Sequence, residues 1–70
     1  MPKAEIANHI RRLRFEHGEM TQQDLAERVG CSRQTVVLLE QARYVPSLAL
    51  AMRIAGVFGE PVEGVFEWAG

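Results

Sequence analysis

The chain has 70 residues, with eight Lys+Arg against nine Asp+Glu and a formal charge of −1. That length admits one domain, and 47% hydrophobic with 24% charged residues excludes intrinsic disorder. No apolar run approaches the roughly 18 residues of a membrane span, and the start Met1-Pro2-Lys3-Ala4-Glu5 lacks the apolar stretch of a secretory signal. The single Cys31 can form no internal disulfide and, without His or Cys neighbours, no zinc site.

The punctuation along the chain is helical. Ile6, Ile10 and Leu13 share a stripe flanked by Arg11, Arg12 and Arg14, and Asn8 as N-cap predicts a first helix from about His9 to His17, stopped by Gly18. Thr21 predicts the cap of a second helix, with Asp24 completing an acidic capping box. Leu25, Ala26 and Val29 form its apolar face and Gly30 ends it. Ser32 caps a third helix, in which Val36 and Leu39 point inward. After the loop Gln41–Pro46, Ser47 caps a fourth helix with two apolar stripes: Leu48, Ala51, Ala55 and Phe58, then Leu50, Ile54 and Val57. Two such faces predict cover on both sides, from the core and from a partner. Gly59-Glu60-Pro61 opens a short fifth helix over Pro61–Val65 that continues into Phe66-Glu67-Trp68, although Gly64 costs it about 1 kcal/mol relative to alanine. The expected fold is all-α, five short helices in one domain over residues 1–70, with a dimerisation segment at about 59–70. The apolar tail either packs in cis, pairing Glu5-Ile6-Ala7 with Phe66-Glu67-Trp68, or docks across a dimer, or does both.

The informative stretch is Thr21–Val36: two capped helices joined by a tight turn at Gly30, the helix-turn-helix arrangement. On the second of these helices Arg33, Gln34, Val37, Leu38 and Gln41 share the face opposite Val36 and Leu39. Arg33 and Gln34 stand at its N-terminus, the end that enters a major groove first. Arg can give paired hydrogen bonds to guanine and Gln to adenine. Free N–H groups at the two helix starts, with Gln22 and Ser32 beside them, suit phosphate oxygens. Elsewhere such polar helix starts are ordinary solvated surface; this frame reverses that reading.

These segments, together with Thr21-Gln22-Gln23-Asp24-Leu25-Ala26, Gly30-Cys31-Ser32-Arg33-Gln34-Thr35-Val36, Leu39-Glu40 and Tyr44-Val45-Pro46-Ser47-Leu48, resemble the lambda-repressor-like (Cro/C1, XRE-type) helix-turn-helix regulators over about Asn8–Trp68. The ending Pro61–Trp68 looks like the short stand-alone branch that includes the cytolysin-operon repressor. The resemblance implies a bacterial, cytoplasmic and nucleoid-associated regulator of transcription that binds double-stranded DNA. It implies a phosphate contact from Gln22, with Gln23 beside it, base reading by Arg33 and Gln34, and backbone or base approach by Ser32 and Thr35. Arg43 matches a phosphate-touching loop, and Arg14 with Glu40 matches a structural ion pair. Three departures stand out. The His17-Gly18-Glu19-Met20 turn is one residue longer than usual. Cys31 replaces a common valine and is read as a packed thiol. Val37 and Leu38 replace small or polar residues. Thymine-methyl contact is the reading for Val37, while Leu38 stays open between that and a partner surface.

Charge distribution answers the near-neutral total. Residues 1–43 carry seven of the eight basic groups against six acids, whereas residues 44–70 carry Arg53 against Glu60, Glu63 and Glu67. A slightly basic head and an acidic tail predict weak non-specific binding that depends on paired half-sites. A chain this short buries only about 60% of its unfolded surface, which favours a homodimer. Leu50, Ile54, Val57, Val62, Val65, Phe66 and Trp68 are its expected interface. The leading expectation is a homodimeric repressor occluding a promoter at an inverted repeat, although activation is equally open to such a protein. The alternative is an antitoxin-like or adaptor module that binds protein through the third helix. No enzyme is expected: His9 and His17 lack a nucleophile and carboxylate arrangement, and Cys31 lacks a base. No metal, cofactor, membrane partner or small-molecule effector is identified.

Overall fold

The computed structural model describes residues 5–69; Lys3, counted above on the basic side, lies outside them. The elements run β1 (Ile6–Asn8), α1 (Ile10–Glu16), α2 (Gln22–Val29), α3 (Arg33–Glu40), α4 (Leu48–Phe58), α5 (Val62–Val65) and β2 (Phe66–Trp68). Three caps set the starts of α2, α3 and α4. Thr21 Oγ1 accepts from the Asp24 N–H at 2.9 Å, Ser32 Oγ from Thr35 at 3.1 Å and Ser47 Oγ from Leu50 at 3.1 Å. In the first, Asp24 Oδ2 reciprocates by accepting from the Thr21 N–H at 3.1 Å, closing the capping box. Hydrogen bonding of the Asp24 carboxylate to Thr21, to its backbone N–H first and then to its side chain, holds the carboxyl below its ordinary pKa.

The entry to α1 differs from expectation. His9 occupies the N-cap position and makes no side-chain cap bond. Asn8 belongs to β1, and its carboxamide divides between two tasks. Oδ1 accepts from the Ile10 N–H at 3.2 Å, while Nδ2 donates to the Leu39 carbonyl at the far end of α3. A strand residue thus supplies the cap from one position upstream.

At the C-terminal end the expected pairing of the two terminal segments in cis is present. Phe66-Glu67-Trp68 is a strand, not a continuation of the helix, and pairs antiparallel with β1 in the register Ile6–Trp68, Ala7–Glu67, Asn8–Phe66. The ladder runs one residue beyond the expected Glu5-Ile6-Ala7 segment, and Ala69 N–H reaches the Glu5 carbonyl at 2.8 Å.

All five helices contribute to one core, in which Ile10, Leu25, Val29, Val36, Leu39, Ile54 and Val65 are less than 2% exposed. The two stripes of α4 resolve into a single broad face: Leu50, Ala51, Ile54, Ala55 and Phe58 are all buried. Leu48, assigned to the first stripe, is instead 72% exposed. The expected interface set therefore divides. Leu50, Ile54, Val65 and Phe66 are enclosed in the subunit's own core, and Val57 and Val62 pack half-buried against it. Side chains so enclosed are not the main surface for a partner, although Phe66 keeps 8% exposure. Only Trp68, at 68% exposure, stands free of the core.

One charged group enters this interior. Arg14 is only 8% exposed and its guanidinium uses all three nitrogens. Nε and Nη2 donate to the two Glu40 carboxylate oxygens at 2.7 and 3.1 Å, and Nη1 donates to the Met20 carbonyl at 2.8 Å. The forked pair ties α1 to the end of α3, and the third bond closes the long turn before α2. That turn absorbs its extra residue by placing Gly18 and Glu19 in the left-handed region, at φ 77° and 55°.

At the other end of α3, Ala42 N–H bonds to the Leu39 carbonyl and Arg43 N–H to that of Leu38. This is a Schellman stop, and it holds Ala42 at φ 57°, a conformation that strains any residue with a Cβ.

Two stability outcomes follow. Glu40→Ala leaves a buried guanidinium without its carboxylate and is expected to cost about 3 kcal/mol in chemical denaturation. The Arg14→Met, Glu40→Leu double variant should lose clearly less than the two single losses added together. Ala42→Gly relieves the left-handed strain and should add ~1 kcal/mol, raising the thermal midpoint by a few degrees.

Candidate nucleic-acid interface

The turn between α2 and α3 is only Gly30–Ser32. Gly30 at φ 76° reverses the chain, and Ser32 starts α3 at once, so the two helices are held as one unit. Val36 and Leu39 anchor α3 to the core, which leaves Arg33, Gln34 and Gln41 exposed and Val37 and Leu38 half-exposed. Arg33 and Gln34 make no side-chain hydrogen bond or ion pair among the described residues. Their donors and acceptors are therefore available to an external partner.

The polar groups around them are more committed than the sequence suggests. Gln22 Nε2 donates to Glu40 Oε1 at 3.2 Å, which fixes its carboxamide beside the ion pair and leaves the second amide hydrogen and Oε1 for another partner. That link spans 18 residues, and no local pattern announces it. Gln23 Nε2 donates to Glu27 Oε2 at 2.9 Å, so its carboxamide lies along α2. The hydroxyls of Ser32 and Thr35 lie 2.9 Å apart and are engaged in the cap. Arg43, exposed just after the Schellman stop, is held by its backbone bond to Leu38 at 3.0 Å.

Gln22 in the first turn of α2 and Arg33 at the start of α3 line one hollow, Gln34 follows Arg33 in the first turn of α3, and Arg43 lies beyond the far end of α3. Arg33 and Gln34 carry the donor and acceptor sets that match purine edges. Gln22 and Arg43 are suited to phosphate oxygens.

Cys31 sits in the turn, half-buried and packed against the core. Partial burial pushes its thiol above the ordinary pKa, which disfavours the reactive thiolate. No group of His, Cys, Asp and Glu able to hold a metal occurs among the described residues, and no described helix is long and apolar enough to cross a membrane.

Comparison with known proteins agrees with this geometry. A helix-turn-helix family model matches residues 10–65. An uncharacterised HTH-type transcriptional regulator from Archaeoglobus fulgidus is 49% identical over 61 residues, covering 87% of this chain and 86% of its own. One from Methanothermobacter thermautotrophicus is 55% identical over 58 residues, covering 81% and 83%. The Bacillus subtilis HTH-type regulator YgzD is 44% identical over 61 residues, covering 87% and 91%. A solved crystal structure from Bacteroides fragilis superposes with a TM-score of 0.74 at 21% identity, covering 89% of this chain and 98% of that one, a likeness of fold. All three relatives carry the description HTH-type transcriptional regulator. With cap, turn and reading helix all in place, the chain belongs to the Cro/C1 (XRE-type) helix-turn-helix transcriptional regulators.

Proposed function

We propose that the protein is a homodimeric repressor, without enzymatic activity, that sits on chromosomal DNA in the cytoplasm and reads an inverted repeat through the major groove. The observation that carries this reading is the pair Arg33 and Gln34, exposed and unengaged at the start of α3, beside a Gln22 held in place by Glu40. Arg33 and Gln34 read bases, Val37 meets a thymine methyl, and Leu38 and Gln41 complete the face. Gln22, Ser32, Thr35 and Arg43 hold the backbone, with Gln23 beside them. Repression is by occlusion of the promoter.

A single module of this size offers an interface of only about 600–1,000 Å², so two-fold pairing on half-sites about 34 Å apart supplies the rest. The surface that supports such a dimer is not the buried set expected from periodicity. Val45, Leu48, Met52 and Trp68 are 55%, 72%, 58% and 68% exposed. Leu48, Val45 and Pro46 border an almost wholly apolar groove with Ile6, Val62 and Phe66. Large apolar groups concentrated beside one groove mark an interaction surface. The single domain therefore has its reading head on α2 and α3, and its dimer surface on α4 and the tail.

Selection from random duplexes should return a palindromic site. Arg33→Ala or Gln34→Ala should cost about 1–3 kcal/mol on that site and relax the preference at one position per half-site. Binding with unchanged preference would falsify groove reading and favour a protein-binding role for α3. Trp68 is the chain's one tryptophan, so its emission should shift to the blue as protein concentration rises through association. Leu48→Glu should abolish that shift and leave a folded monomer in sedimentation. Monomeric wild-type protein at micromolar concentration, with and without operator, removes the dimer.

A further inference from the structure

Beside the reading head lies an open groove whose α1 wall has no role in the function proposed above. On one side α1 supplies Arg11, Arg12 and Phe15; on the other stand Gln22 of α2 and Val37 and the C-cap Gln41 of α3. The groove thus begins where the base-reading face ends. We propose that it is a second seat for the phosphodiester backbone of duplex DNA, with Arg11 as the phosphate donor and Phe15 as the platform that holds it. This rests on the DNA-binding reading above and extends the contact surface to α1.

The two arginines of the groove differ. Arg12 Nε lies 3.7 Å from Glu16 in an exposed pair one turn apart, so its charge is partly answered within the helix. Arg11 makes no ion pair among the described residues; its guanidinium carbon stands 5.9 Å from the centroid of the Phe15 ring. A guanidinium against a ring face keeps its in-plane N–H donors free, and those donors match the paired oxygens of a phosphate. Resting on the ring also reduces the freedom that Arg11 must give up on binding.

Phe15 itself needs an explanation. It is 54% exposed although α1 already buries Ile10 and Leu13, so the core does not account for it. Its ring is shared: the Arg14 guanidinium carbon also stands 5.9 Å from the centroid. Arg14 is held by Glu40 and Met20, so the platform is backed by a buried guanidinium fixed at all three nitrogens. Phe15 also borders the neighbouring hollow that contains Gln22, Gln23 and Arg33, which makes it the divider between the base-reading start of α3 and the Arg11 seat. The groove's own acid, Glu40, does not repel a phosphate from close range. Its two oxygens already accept from Arg14 and Gln22.

The test is a salt series of binding by the full chain to its selected operator and to an unrelated duplex. Wild type is compared with Arg11→Gln, Phe15→Leu and, as reference, Arg12→Gln, each checked for an unchanged circular dichroism spectrum. Arg11→Gln removes one phosphate contact per protomer, so it is expected to reduce the log–log salt slope of the dimer by about 1.8 and to weaken both duplexes by the same factor, about thirtyfold at 0.15 M salt. Operator preference stays as in wild type. Phe15→Leu keeps every charge and should weaken both duplexes by a smaller factor, and Arg12→Gln should do less than Arg11→Gln. An Arg11→Gln protein with wild-type slope and affinity overturns the seat, while loss of operator preference in Arg33→Ala in the same series leaves the reading head standing. A changed operator preference in Arg11→Gln also overturns it, since a backbone contact reads no sequence. Phe15→Leu with wild-type affinity overturns the platform. A wild-type chain that binds neither duplex overturns both this inference and the function on which it rests.

Discussion

The forked pair between Arg14 and Glu40 is the constraint on which most of this structure depends. It joins the first helix to the end of the third, closes the turn before the second through Met20, and lends one carboxylate oxygen to Gln22. A reading helix is useful only if its angle to the rest of the domain is fixed. Here the angle is set at both ends of α3, by the Ser32 cap and Gly30 turn at its start and by the ion pair with the Asn8 amide at its finish. Desolvating two charges is expensive, and a buried pair of this kind contributes little net stability. Its value is positional: the same carboxylate that locks the helix also orients a residue suited to phosphate.

What was legible in the sequence was what is local. The caps at Thr21, Ser32 and Ser47 are legible because a hydroxyl and the N–H three residues on are close by construction. The helix-turn-helix frame follows from two such caps with a glycine between them. The features that escaped are long-range. The Asn8 bond to Leu39 and the Gln22 bond to Glu40 cross 31 and 18 residues, and either residue reads equally well as a plain surface or capping group. In α4, apolar spacing could show which side chains seek cover without showing how wide one covered face is. Leu50, Ala51, Ile54, Ala55 and Phe58 fit a single broad arc, so what read as two faces is one. The free apolar groups lie on its flank at Leu48 and Met52.

That revision changes how the two working surfaces are related. Arg43 stands exposed directly after the Schellman stop, whereas Val45 and Leu48, two and five residues later, border the apolar groove. The connecting segment is short and is pinned at one end by the bonds of Ala42 and Arg43 and at the other by the Ser47 cap. Any partner seated on the apolar flank is therefore held at a set distance from the recognition helix, with little slack in between.

The antiparallel pairing of β1 with β2 has a kinetic consequence. Residues Glu5 and Ala69 are joined by a hydrogen bond, so this small sheet closes a loop that spans the described residues, whereas α2 and α3 meet within a few residues of each other. Loop-closure entropy delays distant contacts relative to near ones. The helix-turn-helix pair can therefore assemble early, while the sheet, together with the setting of Trp68, waits for residues 66–68. During synthesis this order would keep the aromatic surface from presenting itself until the interior beneath it is complete.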